Sequence, residues 1–425
     1  MDNLYRYDTC KEYAAAISSR PVRSARIIAL VLGVLLLAGA AASASAETRL
    51  MVVSDLHYLA PSLYRDSGLF LRSLRRGDGK ITQYGEELLA ALYQEILREK
   101  PDALIVTGDL TFNGEKLSHL ALADWFRAVE NAGVSVWVIP GNHDINVPGP
   151  VGFSGESYYN VDPVTPEEFA AIYADFLTPG EAGFSYTAKI SDDLWVLLTD
   201  VSWYQAQAQT FGIFTDRSEA WLEEALKQAR DVGARVITAT HHSLIPHTDF
   251  SRDNFLMFGS DRMAALLRQY GVKLNLSGHL HIQHIARASG LADAALGAFC
   301  IWPHRFALVT LQDASLTYEA KALDGQFLPE GFPETSRNWF YSITREKTAA
   351  FLDGSDGEKE LMADYAARFN LAYFTGTFRK DDPAWTEDPA RALWEQQADS
   401  AFWKYMKLVM DESSGDNLHL ECAAR

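Results

Sequence analysis

Five short segments of this 425-residue chain carry side chains suited to divalent cations, in a fixed order. They are Asp55 with His57; Asp109 after Gly108; Asn142, His143 and Asp144 after Gly141; His241; and His279 with His281 after Gly278. Six of the eleven histidines fall inside them: His57, His143, His241, His242, His279 and His281. A carboxylate such as Asp109 can bridge two cations through its two oxygens, and an Asn carbonyl oxygen is a neutral ligand. Two residues at i and i+2 leaving a strand point the same way, so His279 and His281 can serve one each of two neighbouring ions. Taken singly, these residues have ordinary readings: Asp109 suits a helix N-cap or turn, and a lone histidine is usually a satisfied structural one. Taken jointly, at the ends of five strand candidates with no ligand type missing, they point to hydrolysis at a pair of metal ions. No cysteine lies in any segment, which favours a hard His/carboxylate site over structural zinc.

The elements that must position these residues alternate between β-branched runs and helical stretches over residues 49–324, the pattern of an α/β fold. Strands are predicted at 50–53, 103–107, 134–139, 194–199, 235–239 and 272–276. Helices are predicted at 84–98, 117–131, 218–231 and 262–270, and a late hairpin at 306–311 and 316–321. Polar insertions at 58–83 and 146–166 each follow a ligand motif. Loops leaving the carboxyl ends of strands line the cleft in open α/β sheets, so these insertions are the expected substrate walls. Pro329, Gly331 and Pro333 mark a boundary, beyond which 339–352, 358–369 and 390–410 read as helices. The expected organisation is thus residues 1–46, a catalytic domain over 47–330 and a helical domain over 331–425. Trp385, Trp394 and Trp403 are expected to pack those helices together.

The set Asp-x-His, Gly-Asp, Gly-Asn-His-Asp, His and Gly-His-x-His resembles the calcineurin-like metallophosphoesterase superfamily. The N-terminus and helical tail are similar to its bacterial class III cyclic-nucleotide phosphodiesterase branch. The resemblance implies a four-layer α/β/β/α sandwich and two divalent ions, with Mn, Fe, Zn, Co and Ni all compatible with mixed His, Asp and Asn ligation. It assigns Asp55, His57 and His281 to one ion, Asn142, His241 and His279 to the other, and Asp109 to both. His143 becomes the general acid, with Asp144 orienting or charge-coupling it. Family members carry His-x-Pro where this chain has His241, His242 and Ser243; aligning Ser243 with the proline selects His241. The implied reaction is hydrolysis of a small phosphate ester, a phosphodiester such as a cyclic nucleotide first, by in-line attack of a metal-held hydroxide. The alternatives are a phosphomonoesterase (nucleotidase or protein phosphatase) and a non-catalytic metal-binding envelope scaffold.

Lys11, Arg20, Arg23 and Arg26 precede an apolar run, residues 27–42, and Ala44, Ser45 and Ala46 after it form an Ala-x-Ala end. This reads as a secretory signal peptide, with an uncleaved N-terminal membrane anchor as the alternative. Cleavage there would leave a secreted or envelope-facing protein with no stable membrane insertion. Residues 1–46 hold five Lys/Arg and three Asp/Glu, so their removal takes the net charge from -18 to -20. That acidity argues against coating a nucleic-acid duplex or an anionic membrane, while bound cations can invert the field locally. Cys300 and Cys422 permit one disulfide at most. Arg65, Arg72, Arg75, Arg76 and Lys80 read as a solvated basic face, with steering of a nucleotide phosphate as the sharper alternative. Tyr58, Tyr158 and Tyr159 could stack a base or pack loops. Asp200 reads as a turn residue, and His119, His247 and His284 as candidates to support the ligands.

Overall fold

The computed structural model describes residues 47–64, 67–180, 182–205, 207–248, 255–312, 315–412 and 415–423. The segment expected to be a signal peptide, residues 1–46, and Arg65 lie outside the described residues. The chain begins β1 (Thr48–Val53), α1 (Gly68–Arg75), α2 (Gly85–Glu99), β2 (Ala103–Thr107), α3 (Lys116–Asn131) and β3 (Ser135–Ile139). A hairpin of β4 (Val151–Ser154) and β5 (Ser157–Asn160) and the short α4 (Pro166–Ile172) follow. The second half runs β6 (Tyr186–Lys189), β7 (Leu194–Leu198), α5 (Asp216–Val232), β8 (Arg235–Ala239), α6 (Ser260–Gln269), β9 (Leu274–Ser277), β10 (His284–Ala288) and β11 (Leu291–Ala295). After β12 (Arg305–Leu311) and β13 (Ser315–Ala322) come α7 (Phe332–Ala350), α8 (Asp356–Phe374), α9 (Pro383–Thr386), α10 (Pro389–Gln396) and α11 (Ala401–Glu412). The last element is β14 (His419–Ala423).

Two six-stranded sheets carry the site, in the orders β14-β13-β12-β1-β2-β3 and β10-β11-β9-β8-β7-β6. Within them β1, β2 and β3 are parallel, as are β7, β8 and β9, so the ligand motifs leave the same ends of neighbouring strands. These strands are largely apolar because they are covered on both faces, and the buried Asn275 and Ser277 of β9 donate to Asp293. Leu50, Val52, Ile105, Val138, Val196, Leu198, Ile237 and Leu276 share one core between the sheets. On the outside, α3 buries Leu122, Phe126 and Val129 at helical spacing, and α5 buries Leu222, Ala225, Leu226 and Ala229. The result is the four-layer α/β/β/α sandwich.

The helical tail is tied to the sandwich at several points. Leu280 and Ile282, which flank His281, are buried in one cluster with Met362, Phe369, Tyr373 and Trp385 of the tail. Covering each of those two side chains is worth roughly 1.5–3 kcal/mol, which secures the loop bearing the last two motif histidines. The buried Arg305 guanidinium donates to the Thr375 carbonyl at 2.7 and 3.1 Å. Trp385, Trp394 and Trp403 are buried among the helices, as packing residues. Two expectations need correction. The single helix expected over 390–410 is two, α10 and α11, parted at 397–400; and the tail is not wholly helical, because β14 pairs antiparallel with β13 at the sheet edge. Cys300 and Cys422 are both free thiols.

Candidate metal centre

Every motif residue emerges just beyond a strand: Asp55 and His57 after β1, Asp109 after β2, Asn142 and His143 after β3, His241 after β8, His279 and His281 after β9. Five of these seven ligand candidates hold positive φ: Asp55 (55°), His57 (41°), Asp109 (50°), His279 (66°) and His281 (60°). Left-handed backbone at non-glycine residues costs on the order of 1–3 kcal/mol each and persists where the surroundings fix it. Here a ladder of backbone bonds does so: Asp55 N–H to Gly108 O (3.1 Å), His57 N–H to Asp109 O (3.0 Å) and Gly278 N–H to His241 O (2.9 Å). His279 and His281 therefore do not keep strand alternation; left-handed turns aim the two rings individually.

Two of the motif glycines are required by close approach. A Cβ on Gly141 would lie 2.2 Å from the Asp109 backbone N and from its Oδ1. One on Gly278 would lie 1.9 Å from Ser54 Oγ and 2.6 Å from Asp55 Oδ2.

The turns bring the ligand candidates into two adjoining groups. Asp55, His57, Asp109 and His281 form one and Asp109, His241 and His279 the other, with one ligand atom from each residue lying within 4.8 Å of the others in its group. Asp109 belongs to both, its Oδ2 3.5 Å from His57 Nε2 and its Oδ1 3.3 Å from His241 Nε2. Asn142 Oδ1 lies 3.2 Å from His241 Nε2, and His281 Nε2 lies 3.4 Å from Asp55 Oδ1. The Nε2 atoms of His57 and His281 face one another at 3.1 Å, and the buried His57 Nδ1 has no hydrogen-bond partner. Two lone-pair donors face to face beside buried carboxylates make a donor set that fits a cation better than a protein hydrogen-bond network. His241 shows the same imbalance: burial lowers its pKa, but Asp109 and then Asp55 outweigh burial and lift it to about 9.

His241, not His242, stands beside Asp109. Its Nδ1 bonds the Thr107 carbonyl at 2.8 Å, which turns Nε2 inward, whereas His242 Nε2 bonds the Thr210 carbonyl at 3.1 Å. His143 is at the edge of the centre, with Nδ1 2.9 Å from Asn113 Oδ1 and 3.1 Å from the Phe112 carbonyl. Burial lowers its pKa, with Asp109 opposing. Asp144 does not touch that ring, contrary to the expected orienting role. Its carboxylate accepts from the backbone N–H groups of Gly141 (2.7 Å), Thr111 (3.0 Å) and Leu110 (3.1 Å), and so ties the β2 and β3 loops together. The residue that orients His143 is Asn113, which carried no motif.

Asp78 is the second residue the motifs did not reveal. Its Oδ2 lies 2.6 Å from His281 Nδ1 and 3.4 Å from Lys80 Nζ. Lys80 is therefore part of the site's flank and not of a solvated face; Arg72 and Arg75 do lie outside, paired with Glu156 and Glu346. Tyr58 is buried and bonds Glu86, while Tyr158 and Tyr159 are exposed on the β4–β5 hairpin. Asp200 accepts from Phe184 N, Ser202 N and Tyr204 Oη, as a turn residue. His119 bonds the Asp144 carbonyl at 2.9 Å; His247 and His284 face one another at 2.9 Å beside Asp293.

A cavity of about 530 Å³ opens over Asp109, Asn142, His143, His279 and His281. Among the described residues, Asp78 is its only lining residue from the two insertions expected to wall it. The remaining walls are Thr210, Phe255, Leu280, Ile282 and the C-terminal Asn370, Phe374 and Tyr405.

A model of the calcineurin-like phosphoesterases matches residues 48–283, more than half of the chain. The chain belongs to this family. It is similar, at 27% identity over 257 residues, to a probable cyclic nucleotide phosphodiesterase of Synechococcus sp. (strain WH7803), covering 58% of this chain and 80% of that one. A probable glycerophosphodiester phosphodiesterase, GpdQ, of Arcobacter nitrofigilis is 25% identical over 216 residues, 48% of this chain and 68% of its own. Among solved structures, a dimetal phosphatase from Danio rerio aligns with 65% of this chain and 96% of its own at 15% identity, with a TM-score of 0.47. As a member of this family, the chain is a metallophosphoesterase with clustered Asp and His side chains for a divalent metal centre.

Proposed function

We propose that this calcineurin-like phosphoesterase is a binuclear phosphodiesterase acting on small organic phosphodiesters, cyclic nucleotides foremost. The observation that carries the reading is one shared carboxylate: Asp109 faces His57 through Oδ2 and His241 through Oδ1. In this reading Asp55, His57 and His281 hold one ion, Asn142, His241 and His279 hold the other, and Asp109 contributes to both. When bound, two divalent cations supply Lewis-acid polarisation of the phosphoryl group and an activated water. His143 hands a proton to the departing alkoxide. Its Nδ1 is committed to Asn113 and Phe112, which leaves Nε2 for the substrate oxygen. General acid catalysis of this kind contributes ~10²–10⁴ in rate. The names of the two curated relatives support a diester over a monoester.

The test is turnover by the protein loaded with Mn²⁺ on cyclic nucleotides, linear diesters and monoesters, with Asp109→Ala as control. Diester hydrolysis abolished by Asp109→Ala is the expected result. A preference for monoesters would overturn the diester assignment, and inertness toward every ester would leave the scaffold reading. Export is part of the proposal: N-terminal sequencing of the exported protein should begin near Glu47.

A further inference from the structure

The tail does more than pack against the sandwich, because α8 and α11 reach the cavity over the candidate metal centre. Asn370 and Phe374 come from successive turns of α8, and Tyr405 from α11. Tyr405 Oη donates to Asn370 Oδ1 at 3.1 Å, which fixes the amide and turns its NH₂ group away from that bond. The Tyr405 ring is itself held between Phe369 and Tyr373, with centroids 6.2 and 6.1 Å away. Phe255, which also lines the cavity, packs on the His279 ring at 5.4 Å. Phe255, Leu280, Ile282, Asn370, Phe374 and Tyr405 therefore form an uncharged wall with aromatic faces and one oriented amide.

We infer that this wall reads the organic part of the phosphoester, and that it is shaped for a neutral, planar heterocycle of the nucleobase type. Aromatic side chains offer stacking faces, and the Asn370 amide offers N–H groups to a ring nitrogen or carbonyl at the heterocycle's edge. The cavity falls within the ~300–1,000 Å³ range of small-molecule sites, with room for a base and sugar beside the phosphoryl group. A choline-like head group would use the rings but would leave the amide N–H groups facing an ion that accepts no hydrogen bond. Glycerol has no planar face to stack on the rings, so nothing would hold its hydroxyls against the amide. Asn370 and Tyr405 are thus specificity residues supplied by the tail, and the proposal rests on the phosphodiesterase reading above.

The experiment compares the full-length chain with its Asn370→Leu and Tyr405→Phe variants, each loaded with Mn²⁺ and checked for metal content and thermal unfolding. The substrates are adenosine 3′,5′-cyclic phosphate, glycerophosphocholine and methyl 4-nitrophenyl phosphate. With metal content unchanged, Asn370→Leu should lower kcat/KM on the cyclic nucleotide by about five- to tenfold, the loss of one neutral hydrogen bond, and spare the other two. Tyr405→Phe should do the same more weakly. Equal losses on all three substrates, no loss on any, or a loss confined to glycerophosphocholine would each overturn the assignment. Should the unsubstituted protein hydrolyse none of the diesters, the phosphodiesterase reading fails and the wall is judged by calorimetric binding of adenosine 5′-monophosphate. Binding weakened by Asn370→Leu would support the wall, and equal binding by both proteins would sink it.

Discussion

Replacing Asp78 tests whether one side of the centre depends on a carboxylate that binds no ion itself. Its Oδ2 sits 2.6 Å from His281 Nδ1, a charge-assisted contact that holds the proton on Nδ1 and keeps the Nε2 lone pair aimed at Asp55 and His57. The short segment bearing Asp78 is clamped from the tail. Trp339 Nε1 donates to the Lys80 carbonyl at 3.1 Å, and Lys347 Nζ donates to the carbonyls of Arg76, at 2.9 Å, and Gly77. Partners of metal-binding histidines typically contribute 10–100-fold to metal affinity. Asp78→Asn retains an acceptor but loses the charge, so a loss of about tenfold is expected, roughly 1.4 kcal/mol. Asp78→Ala removes both and should approach a hundredfold. Competition against a chromophoric chelator, fitted to two sites for Mn²⁺ or Zn²⁺, should find one site weakened and the other within twofold. His241 and His279, on the far side of Asp109, are not bonded to Asp78, which is why the effect should be confined to one site. Equal weakening of both sites, or no change in either with Asp78→Ala, would refute the reasoning.

His143→Ala should retain both metals and lose turnover of an alkyl phosphodiester by ~10²–10⁴, with a smaller loss on an aryl diester whose leaving group needs no proton; equal losses on the two would exclude the acid role. His241→Ala should reduce bound metal, measured by plasma emission, while His242→Ala should leave metal content unchanged, since the His242 ring nitrogen is directed to Thr210. Gly278→Ala should cost about 1–3 kcal/mol of stability and displace Asp55, read as a lowered unfolding midpoint with lost metal, because its Cβ would fall 1.9 Å from Ser54 Oγ. Deleting residues 331–425 uncovers Leu280 and Ile282 and strips β14 from the sheet edge. The expected product is aggregation-prone and metal-poor, and a soluble, fully metal-loaded fragment of 47–330 would contradict the dependence of the His279–His281 loop on the tail.

What the sequence made legible follows from how each feature is encoded. Of the central strands, β1, β2, β3, β7 and β8 are rich in Val, Ile and Leu, as suits strands covered on both faces, and all but β7 lead directly into ligand candidates, as does β9 (LNLS), whose run is half polar. By contrast β10 (HIARA) and β11 (LADAA) are rich in alanine and carry no β-branched run. Pairing of β11 with β9 and of β10 with β11 makes them strands, so local propensity gave no signal. β14 (HLECA) is an edge strand captured by β13 from a hundred residues earlier in the chain, a long-range pairing with no local trace.

The centre divides in the same way. Residues that would touch an ion are constrained in type and stand beside glycines that permit close approach, so they read as motifs. Residues that orient those ligands need only one acceptor in the right place, which a lone Asp78 or Asn113 supplies without any pattern. The same asymmetry explains the misplaced roles. Asp144 sits next to His143 in sequence, but consecutive side chains diverge, and its carboxylate is spent on three backbone N–H groups that would otherwise be buried without partners. The orienting task falls to Asn113 on a loop from another strand. For the cavity walls, a long loop at a strand end is evidence of position only. The insertion over 146–166 pairs with itself as β4 and β5 and packs Phe153 on Phe70, leaving the mouth of the centre to helices whose lining residues, Asn370 to Tyr405, lie far beyond the last motif. Specificity in this chain is therefore encoded where no ligand pattern points, in side chains whose function appears only once α8 and α11 are seated on the loop that carries His281.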